Sequence, residues 1–334
     1  MPAEPSGPIR IAVTGSVATD HLMTFSGLFS DSLVPEHLDK VSLSFLVDDL
    51  EVRRGGVAAN IAFGMANLGL RPLLVAAVGP DFADYRSWLE RHGVDTTGIH
   101  VSDDHHTARF ICTTDSAQAQ IASFYPGAMS EARQIELAPL AQRLGGLDLV
   151  VIGPNDPEAM LRHTDECHQR GYPFVADPSQ QLAFMGGEQI RRLIDGAAYL
   201  VTNEYESVLT EQKTGWTDDE ILERVGVRIT TLGAKGARVD RAGEPSVAVA
   251  VPQEQRRADP TGVGDAFRAG YVAGISWGLG HERAAQVGCL LATLVVETVG
   301  TQEYDLDPAG FVARFATAYG AGAAEEIAAH LVGT

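Results

Sequence analysis

The sequence predicts an α/β fold with a mostly parallel central sheet that is covered by helices on both faces. Short apolar runs recur along the chain, helix-like stretches separate them, and many of the runs end at Gly, Asn or Asp. This alternation is typical of a buried parallel sheet. The predicted strands are residues 11–17, 73–78, 149–152, 174–176, 199–202 and 227–232. Because ligands of such sheets bind outside the carboxyl ends of the strands, the residues after each strand are the candidates for a site.

Two segments interrupt this alternation and are predicted to form a small β-sheet lid. Residues 108–113 and 120–124 have the pattern of two strands joined by a turn, and residues 41–47 resemble a third strand. We expect the lid to comprise about residues 22–52 and 106–126. The remaining prediction is a single domain over residues 9–334, preceded by a flexible tail at residues 1–8. A lid suits a reaction that must exclude water.

Charge and composition exclude several classes of function. The 334 residues include 44 acidic and 25 basic side chains, which gives a formal net charge of −19 at pH 7. We therefore expect neither nucleic acid nor an anionic membrane as a partner, because both are bound through an excess of Lys and Arg. Cys112, Cys167 and Cys289 lie far apart, which favours a reducing cytoplasm over a disulfide framework or a zinc site. Residues 1–8 lack the apolar core of a signal peptide.

The most specific motif is residues 259–267, Asp-Pro-Thr-Gly-Val-Gly-Asp-Ala-Phe, between a strand-like run and an apolar helical stretch. Glycines at a helix start let backbone N–H groups converge on an anion. Gly262, Val263 and Gly264 are thus predicted to hold a phosphoryl group without basic side chains. Asp265 would repel that group unless it accepts the proton of an attacking hydroxyl, so we predict it as the catalytic base. The alternative is a plain glycine-rich loop with Asp265 as the helix N-cap.

This motif resembles the second signature of the ribokinase-like (pfkB) family of carbohydrate and nucleoside kinases, whose usual form is DTxGAGD or DPxGAGD. Val263 replaces the usual Ala. The resemblance covers about residues 11–316 and implies a ribokinase-like three-layer α/β sandwich with a small β-sheet lid. It also implies ATP as phosphoryl donor, contacted at Gly264, and Mg²⁺ as the metal. The sequence contains no Walker A motif GxxxxGK[ST], so a P-loop is not the route to ATP.

The resemblance further implies the residues that bind the acceptor substrate. The family places an acidic residue after the first strand and a Gly-Gly motif before a helix. The matching positions are Asp20, Gly56 and Asn60, with Ser16 alongside. A carboxylate and an amide can bond adjacent hydroxyl groups, which suits a ribose diol. On its own, the Gly-Gly motif is equally consistent with a turn that enters a helix.

Two further matches are assigned to the nucleotide. Asn203 and Glu206 resemble the family's NxxE motif, in which Asn lies near the phosphates and Glu organises Mg²⁺, often through water. Thr231, Gly233 and Gly236 resemble the family's ATP loop. The alternatives are an acidic helix N-terminus for the first motif and a hairpin turn for the second.

The lid offers the features that separate a nucleoside from a free sugar. Phe110 and Phe124, one on each lid strand, are predicted to clamp a flat base, and Ser44 lies in the other lid segment. Gln180 and Gln181 follow a predicted strand and offer amides to base or ribose. Aromatic side chains also favour strands, so lid packing or a dimer contact is the alternative for the two phenylalanines.

Strings around these residues, among them GSVATDHL, KVSLSFLVDDL and ETVGTQE, resemble the adenosine kinases of actinobacteria. This implies transfer of phosphate from ATP to the 5′-hydroxyl of adenosine, giving AMP and ADP in purine salvage, by a homodimer formed through the lid. The nearest alternative is a kinase of ribose or fructose, and a non-catalytic nucleoside-binding regulator is an alternative of another class. A dinucleotide oxidoreductase is excluded because GxGxxG is missing after the first strand.

Overall fold

The computed structural model describes residues 9–33, 40 and 42–331, so the predicted tail at residues 1–8 lies outside the described residues. In chain order the strands are β1 Ile11–Thr14, β2 Ala18–Thr24, β3 Asp49–Gly55, β4 Leu73–Val78, β5 Asp95–Val101, β6 Ala108–Thr114, β7 Gln120–Tyr125, β8 Leu149–Ile152, β9 Phe174–Ala176, β10 Tyr199–Asn203, β11 Val227–Thr231, β12 Ala237–Asp240 and β13 Val247–Val249. The helices are α1 Phe29–Ser32, α2 Val57–Asn67, α3 Ala83–Arg91, α4 Leu137–Leu144, α5 Pro157–Arg170, α6 Gly187–Ile194, α7 Glu204–Thr214, α8 Asp218–Leu222, α9 Val263–Ser276, α10 His281–Val296, α11 Pro308–Tyr319 and α12 Ala321–Leu331.

Two sheets organise this part of the chain. The main sheet has the strand order β13-β12-β11-β10-β9-β8-β1-β4-β5 and is parallel except at β12 and β13. The small sheet has the order β3-β2-β6-β7, with β2 and β6 parallel and the outer pairs antiparallel. The mostly parallel main sheet and the separate small sheet confirm the predicted fold class.

Hydrophobic cores on both faces of the main sheet make the structure a three-layer sandwich. Along β1, Ile11 and Val13 face the core under α2, α9 and α10, whereas Ala12 faces the core under α4, α5 and α6. This is the alternation that a strand buried on both sides requires. On the first face α9 and α10 pack backbone to backbone. A Cβ at Gly270 would lie 2.7 Å from the Cα of Gly288, so there is no room for a side chain at this contact.

The small sheet differs from the prediction in its first strand. Residues 42–47 form no strand, and the paired strand is β3, Asp49–Gly55; Val41 lies outside the described residues. The ring of Phe45 instead packs on Phe25 and Phe29, at centroid distances of 5.0 and 4.9 Å. Of the apolar residues that suggested a strand, Phe45 therefore belongs to a local aromatic cluster.

The predicted hairpin is present as β6 and β7. The Oδ1 atom of Asp115 accepts hydrogen bonds from the N–H groups of Ala117 and Ala119, both at 2.9 Å, which closes the turn. The three cysteines are free and buried. Among the helices described, none is long and apolar enough to cross a bilayer.

Candidate active site

Helix α9 begins at Val263 after Gly262, whose φ of 77° lies in the left-handed region. A Cβ at Gly262 would also lie 2.8 Å from Thr301 Cγ2, so glycine is required both by the backbone and by the space. The first N–H groups of a helix have no intrahelical acceptor and can bind an anion. Here the N–H of Val263 also makes a long hydrogen bond of 3.4 Å to the carbonyl oxygen of Pro260. The helix start that a backbone anion site needs is therefore present at residues 262–264.

Asp265 lies in this first turn and faces Asn60 of α2. Its Oδ2 accepts a hydrogen bond of 2.9 Å from Asn60 Nδ2. Burial raises the pKa of Asp265 to about 6, against the opposing effects of the nearby Arg268 and Asn60. At pH 7 the carboxylate is ionised and can accept a proton. The N-cap of α9 is Gly262, so the alternative that made Asp265 the N-cap is wrong.

Asn60 is held by two residues that sequence analysis did not single out. Its Oδ1 accepts hydrogen bonds from Gln302 Nε2 at 2.9 Å and from Thr301 Oγ1 at 3.0 Å. With both donors on its oxygen, the amide must present its NH₂ group to Asp265. Both residues belong to the string ETVGTQE, which was noted only for its resemblance.

Asp20, Phe110 and Phe124 form one row across the small sheet. Asp20 of β2 is in register with Phe110 of β6, and Phe110 is in register with Phe124 of β7. Residues directly opposite each other share a face and lie ~5 Å apart. Phe110 is half-buried and Phe124 is 51% exposed. A carboxylate and two aromatic rings are thus brought side by side, as the nucleoside hypothesis requires.

The Asp20 carboxyl lies in a charged cluster. Burial raises the pKa of Asp20 to about 6; Arg53 acts against this rise, and the neighbouring carboxylates Asp259 and Glu303 add to it. A Cβ at Gly55 would lie 3.0 Å from Asp20 Oδ2, so the backbone of β3 approaches this carboxyl closely.

Gly56 shows that the Gly-Gly motif is also a turn. Its φ is 95°, and a Cβ would lie 2.5 Å from Val17 Cα. It is the N-cap of α2, the helix that carries Asn60. The hydroxyl of Ser16 accepts a hydrogen bond of 3.1 Å from the N–H of Val57 and so supports the same helix start.

The other predicted substrate residues are less closely grouped. Ser44 lies exposed in the irregular segment 42–47 and forms no hydrogen bond to another described residue. Gln180 is exposed, whereas Gln181 is half-buried and donates from Nε2 to the carbonyl oxygen of Asn155 at 2.6 Å. Gln181 is therefore tied to the loop after β8.

Asn203 and Glu206 form a capping box at the start of α7. Asn203 Oδ1 accepts from the N–H of Glu206 at 2.8 Å, and Glu206 Oε2 accepts from the N–H of Asn203 at 2.9 Å. The helix N-terminus alternative is therefore confirmed as the local structure. Burial raises the pKa of Glu206, while Arg268 acts to lower it.

The Thr231–Gly236 segment is a turn between antiparallel strands. Leu232 N–H bonds to the Gly236 carbonyl at 2.7 Å, and Gly233 and Gly236 have φ values of 58° and 102°. The hairpin alternative is thus confirmed as well. Because Thr231 is in register with Asn203, the structure brings the two predicted nucleotide motifs together at one edge of the sheet.

Sequence reasoning missed Arg268, whose side chain connects α9 with the loop after β9. Arg268 is only 6% exposed, and its Nε lies 2.6 Å from Asp177 Oδ2 after β9. Its Nη2 donates to Asp177 Oδ1 at 2.7 Å and to Ser179 Oγ at 3.0 Å. The available signal was one basic residue in the apolar helical stretch Ala-Phe-Arg-Ala-Gly, three residues after Asp265.

Comparison with known proteins identifies relatives along almost the whole chain. Residues 13–308 match the model of the pfkB family of carbohydrate kinases. A nucleoside kinase from Burkholderia thailandensis, solved in complex with inosine, is 35% identical, with a TM-score of 0.80 over 93% of this chain and 98% of its own. A nucleoside kinase from Methanocaldococcus jannaschii is 28% identical over 88% of this chain and 92% of its own. A ribokinase from Haemophilus influenzae is 23% identical over 87% and 94%.

Proposed function

The chain belongs to the pfkB family of carbohydrate kinases, and from that premise we propose that it transfers the γ-phosphoryl group of ATP to the 5′-hydroxyl of a nucleoside, adenosine in particular. The observation that carries this proposal is the row of Asp20, Phe110 and Phe124 on one face of the small sheet. A carboxylate beside two aromatic rings suits a ligand with both a diol and a flat base. A free sugar has the hydroxyl groups but no flat base to contact both rings.

In the proposed complex, Asp20 and Asn60 bind the two ribose hydroxyls, with Ser16 and the backbone at Gly56 alongside. The base lies between Phe110 and Phe124. The amides of Gln180 and Gln181 and the hydroxyl of Ser44 are assigned to polar contacts with base and ribose at the rim. This arrangement directs the 5′-hydroxyl toward the main sheet.

The 5′-oxygen of the nucleoside then bonds to the γ-phosphorus of ATP, and Asp265 accepts the proton of the 5′-hydroxyl. The bond between the γ-phosphorus and the β,γ-bridging oxygen breaks, which releases ADP. The N–H groups of Gly262, Val263 and Gly264 stabilise the negative charge on the transferring group. Because these donors are fixed by the helix start, they need no rearrangement during the reaction. The sheet edge with Asn203, Thr231, Gly233 and Gly236 is the proposed nucleotide side.

The residues at this edge fit Mg²⁺ that is bound mainly by phosphates. Within the described part of the chain, no three His, Cys, Asp or Glu side chains lie close enough together to hold a metal. Mg²⁺ commonly takes one or two carboxylates, waters and substrate phosphates, and we assign Glu206 to such contact through water. When bound, the ion neutralises phosphate charge.

Truncation of the aromatic clamp should discriminate between a nucleoside and a sugar. We expect Phe110→Ala and Phe124→Ala each to raise the KM for adenosine about tenfold or more, because each removes ~1–3 kcal/mol of base stacking. The KM for ATP should change little. Steady-state kinetics with Val101→Ala as the control tests this, since Val101 is an exposed apolar residue on β5, at the outer edge of the main sheet. An unchanged KM for adenosine in both variants would show that the two rings only pack within the lid.

We also propose that the chain is a homodimer formed through the outer face of the small sheet. The face opposite Phe110 carries the exposed apolar side chains Leu50, Val52, Ile111 and Ile121, in adjacent rows of the sheet. Exposed apolar patches of this kind mark association surfaces. The partner that fits is a second copy of the same face.

Charge on that face should dissociate the dimer. We expect the double variant Val52→Asp and Ile121→Asp to sediment as a monomer at concentrations where the wild type sediments as a dimer. The matched control is Phe184→Asp, an exposed apolar residue elsewhere, which should remain dimeric. A wild type that sediments as a monomer at micromolar concentration rules this interface out.

Identification of the product tests the proposed reaction itself. Incubation with ATP, Mg²⁺ and adenosine should give AMP, with phosphorus NMR locating the phosphate on the 5′-oxygen. Nucleoside binding without any transfer would instead indicate the regulator alternative. We place this reaction in purine salvage in the cytoplasm, where the three free thiols would stay reduced.

A further inference from the structure

Arg268 is a buried cation among three carboxylates that come from different parts of the fold. Its Nε lies 2.6 Å from Asp177 Oδ2, and its Nη2 lies 3.8 Å from Glu206 Oε2 of α7. Asp265 is one helical turn before it on α9. Asp177 is fully buried, so neither member of the closest pair is solvated. A charge buried to this degree is retained only where its partners compensate it.

The same guanidinium fixes a strained loop. Ser179, two residues after Asp177, has a φ of 42°, a left-handed conformation that is uncommon for a residue other than glycine. Its hydroxyl donates to Asp177 Oδ1 at 2.7 Å and accepts from Arg268 Nη2 at 3.0 Å. Strained backbone of this type persists where surrounding contacts over-determine it, and it concentrates at functional sites. The loop leads directly to Gln180 and Gln181.

The other end of the guanidinium lies against the catalytic turn. A Cβ at Gly264 would be 2.9 Å from Arg268 Nη1, so this nitrogen lies close to the backbone of the proposed anion site. One side chain therefore touches the 177–183 loop, approaches Glu206 on the nucleotide side, and supports the turn that carries Asp265.

We propose that Arg268 is a positioning residue for phosphoryl transfer, which holds the 177–183 loop, Glu206 and the Asp265 turn in one arrangement beside the anion site. The inference rests on the proposed role of Asp265 as base. Lysine cannot replace it, because an ammonium group lacks the planar fork that bonds Asp177 and Ser179 together.

The charged and titratable groups around Asp265 define the expected pH effect. The cation Arg268 and the amide of Asn60 lower the pKa of Asp265, whereas Asp177 and Glu206 raise it. The buried phenol of Tyr304 stays neutral, since burial raises its pKa. Because only an ionised Asp265 can accept a proton, activity should be lost as the pH falls through about 6. This loss of activity is the acidic limb of the pH–rate profile. Without the Arg268 charge, the acidic limb moves to higher pH.

The test compares pH–rate profiles of kcat/KM for wild type, Arg268→Met and Arg268→Lys, using adenosine or whichever acceptor the wild type phosphorylates. We expect Arg268→Met to move the acidic limb upward by about one pH unit or more. Arg268→Lys keeps the charge, so its limb should stay within a few tenths of a unit while kcat falls about tenfold from the lost fork. Should Arg268→Met fold poorly, the double variant Asp177→Asn with Arg268→Met removes both charges and should give a smaller upward shift.

The matched control is Arg228→Met. Arg228 is equally buried and pairs with Glu211 and Asp218, but it lies on β11 away from Asp265. It should lose stability without moving the limb. Hydrogen exchange gives a readout independent of turnover: amides 179–184 should lose protection in Arg268→Met and keep it in Arg228→Met. An unmoved limb together with unchanged protection of this loop would overturn the proposal, whereas a wild type that phosphorylates no acceptor would contradict the proposed function instead.

Discussion

Asp265→Asn is expected to lower kcat by ~10²–10⁴-fold, the range that general-base assistance typically contributes. The amide keeps the size of the side chain and can still accept the hydrogen bond from Asn60, so the turn should stay folded. It cannot take a proton from the acceptor hydroxyl. The KM for ATP should stay near the wild-type value, because the proposed anion site consists of backbone N–H groups. Steady-state kinetics over both substrates measures this split.

The control for this variant is Asp84→Asn, an exposed acidic residue in the first turn of α3, which should retain wild-type turnover. Near-normal kcat in Asp265→Asn would remove Asp265 from the chemistry. A loss of ATP binding as large as the loss of kcat would instead indicate that the α9 turn had been disturbed.

Asp20→Ala is expected to raise the dissociation constant for adenosine by ~10²–10⁴-fold, because it removes the charge-assisted hydrogen bonds proposed to two ribose hydroxyls, each worth ~1.5–3 kcal/mol. The first-order effect is on binding, so kcat at saturation should fall much less than in Asp265→Asn. Calorimetric titration with adenosine gives the constant directly, and titration with ATP serves as the internal control.

The pH dependence of folding stability distinguishes a role of Asp20 in binding adenosine from a purely structural role. The folded pKa of Asp20 is raised to about 6, so folding favours the protonated carboxyl, and its contribution to stability is present below the ordinary carboxyl pKa and lost as the pH rises through about 6. At pH 8 the ionised group destabilises the fold, and Asp20→Asn should therefore unfold at the same or a higher denaturant concentration. A variant with weaker folding and unchanged adenosine affinity would show that Asp20 is structural.

The local features of the fold followed from the sequence because each has a local cause. Parallel strands and the β6–β7 hairpin are specified by apolar runs and by a turn residue such as Asp115. The prediction of a strand at residues 41–47 was wrong: Phe45 packs into an aromatic cluster, and an alternating apolar pattern does not distinguish the two arrangements. Alternation alone does not reveal where an apolar side chain finds its partner.

The candidate site divides in the same way. Gly262 and Gly56 were recognisable because a left-handed backbone and a close approach leave a glycine signature in sequence. The pairing of Arg268 with Asp177 joins residues 91 positions apart, from a helix and from the loop after β9, and it depends on how α9 packs against that loop. No periodic pattern encodes such a pair, although a lone arginine in an apolar helix is a reason to look for one.

The assignment of a nucleoside as acceptor is tested by ADP release from the wild-type chain with ATP and Mg²⁺, measured in parallel with adenosine, inosine, guanosine, ribose and fructose as acceptors. We expect turnover with nucleosides and the highest kcat/KM for adenosine. Turnover with ribose or fructose alone would contradict it: Asp265 and the helix start would remain the reacting centre, but Phe110 and Phe124 would have no base to bind.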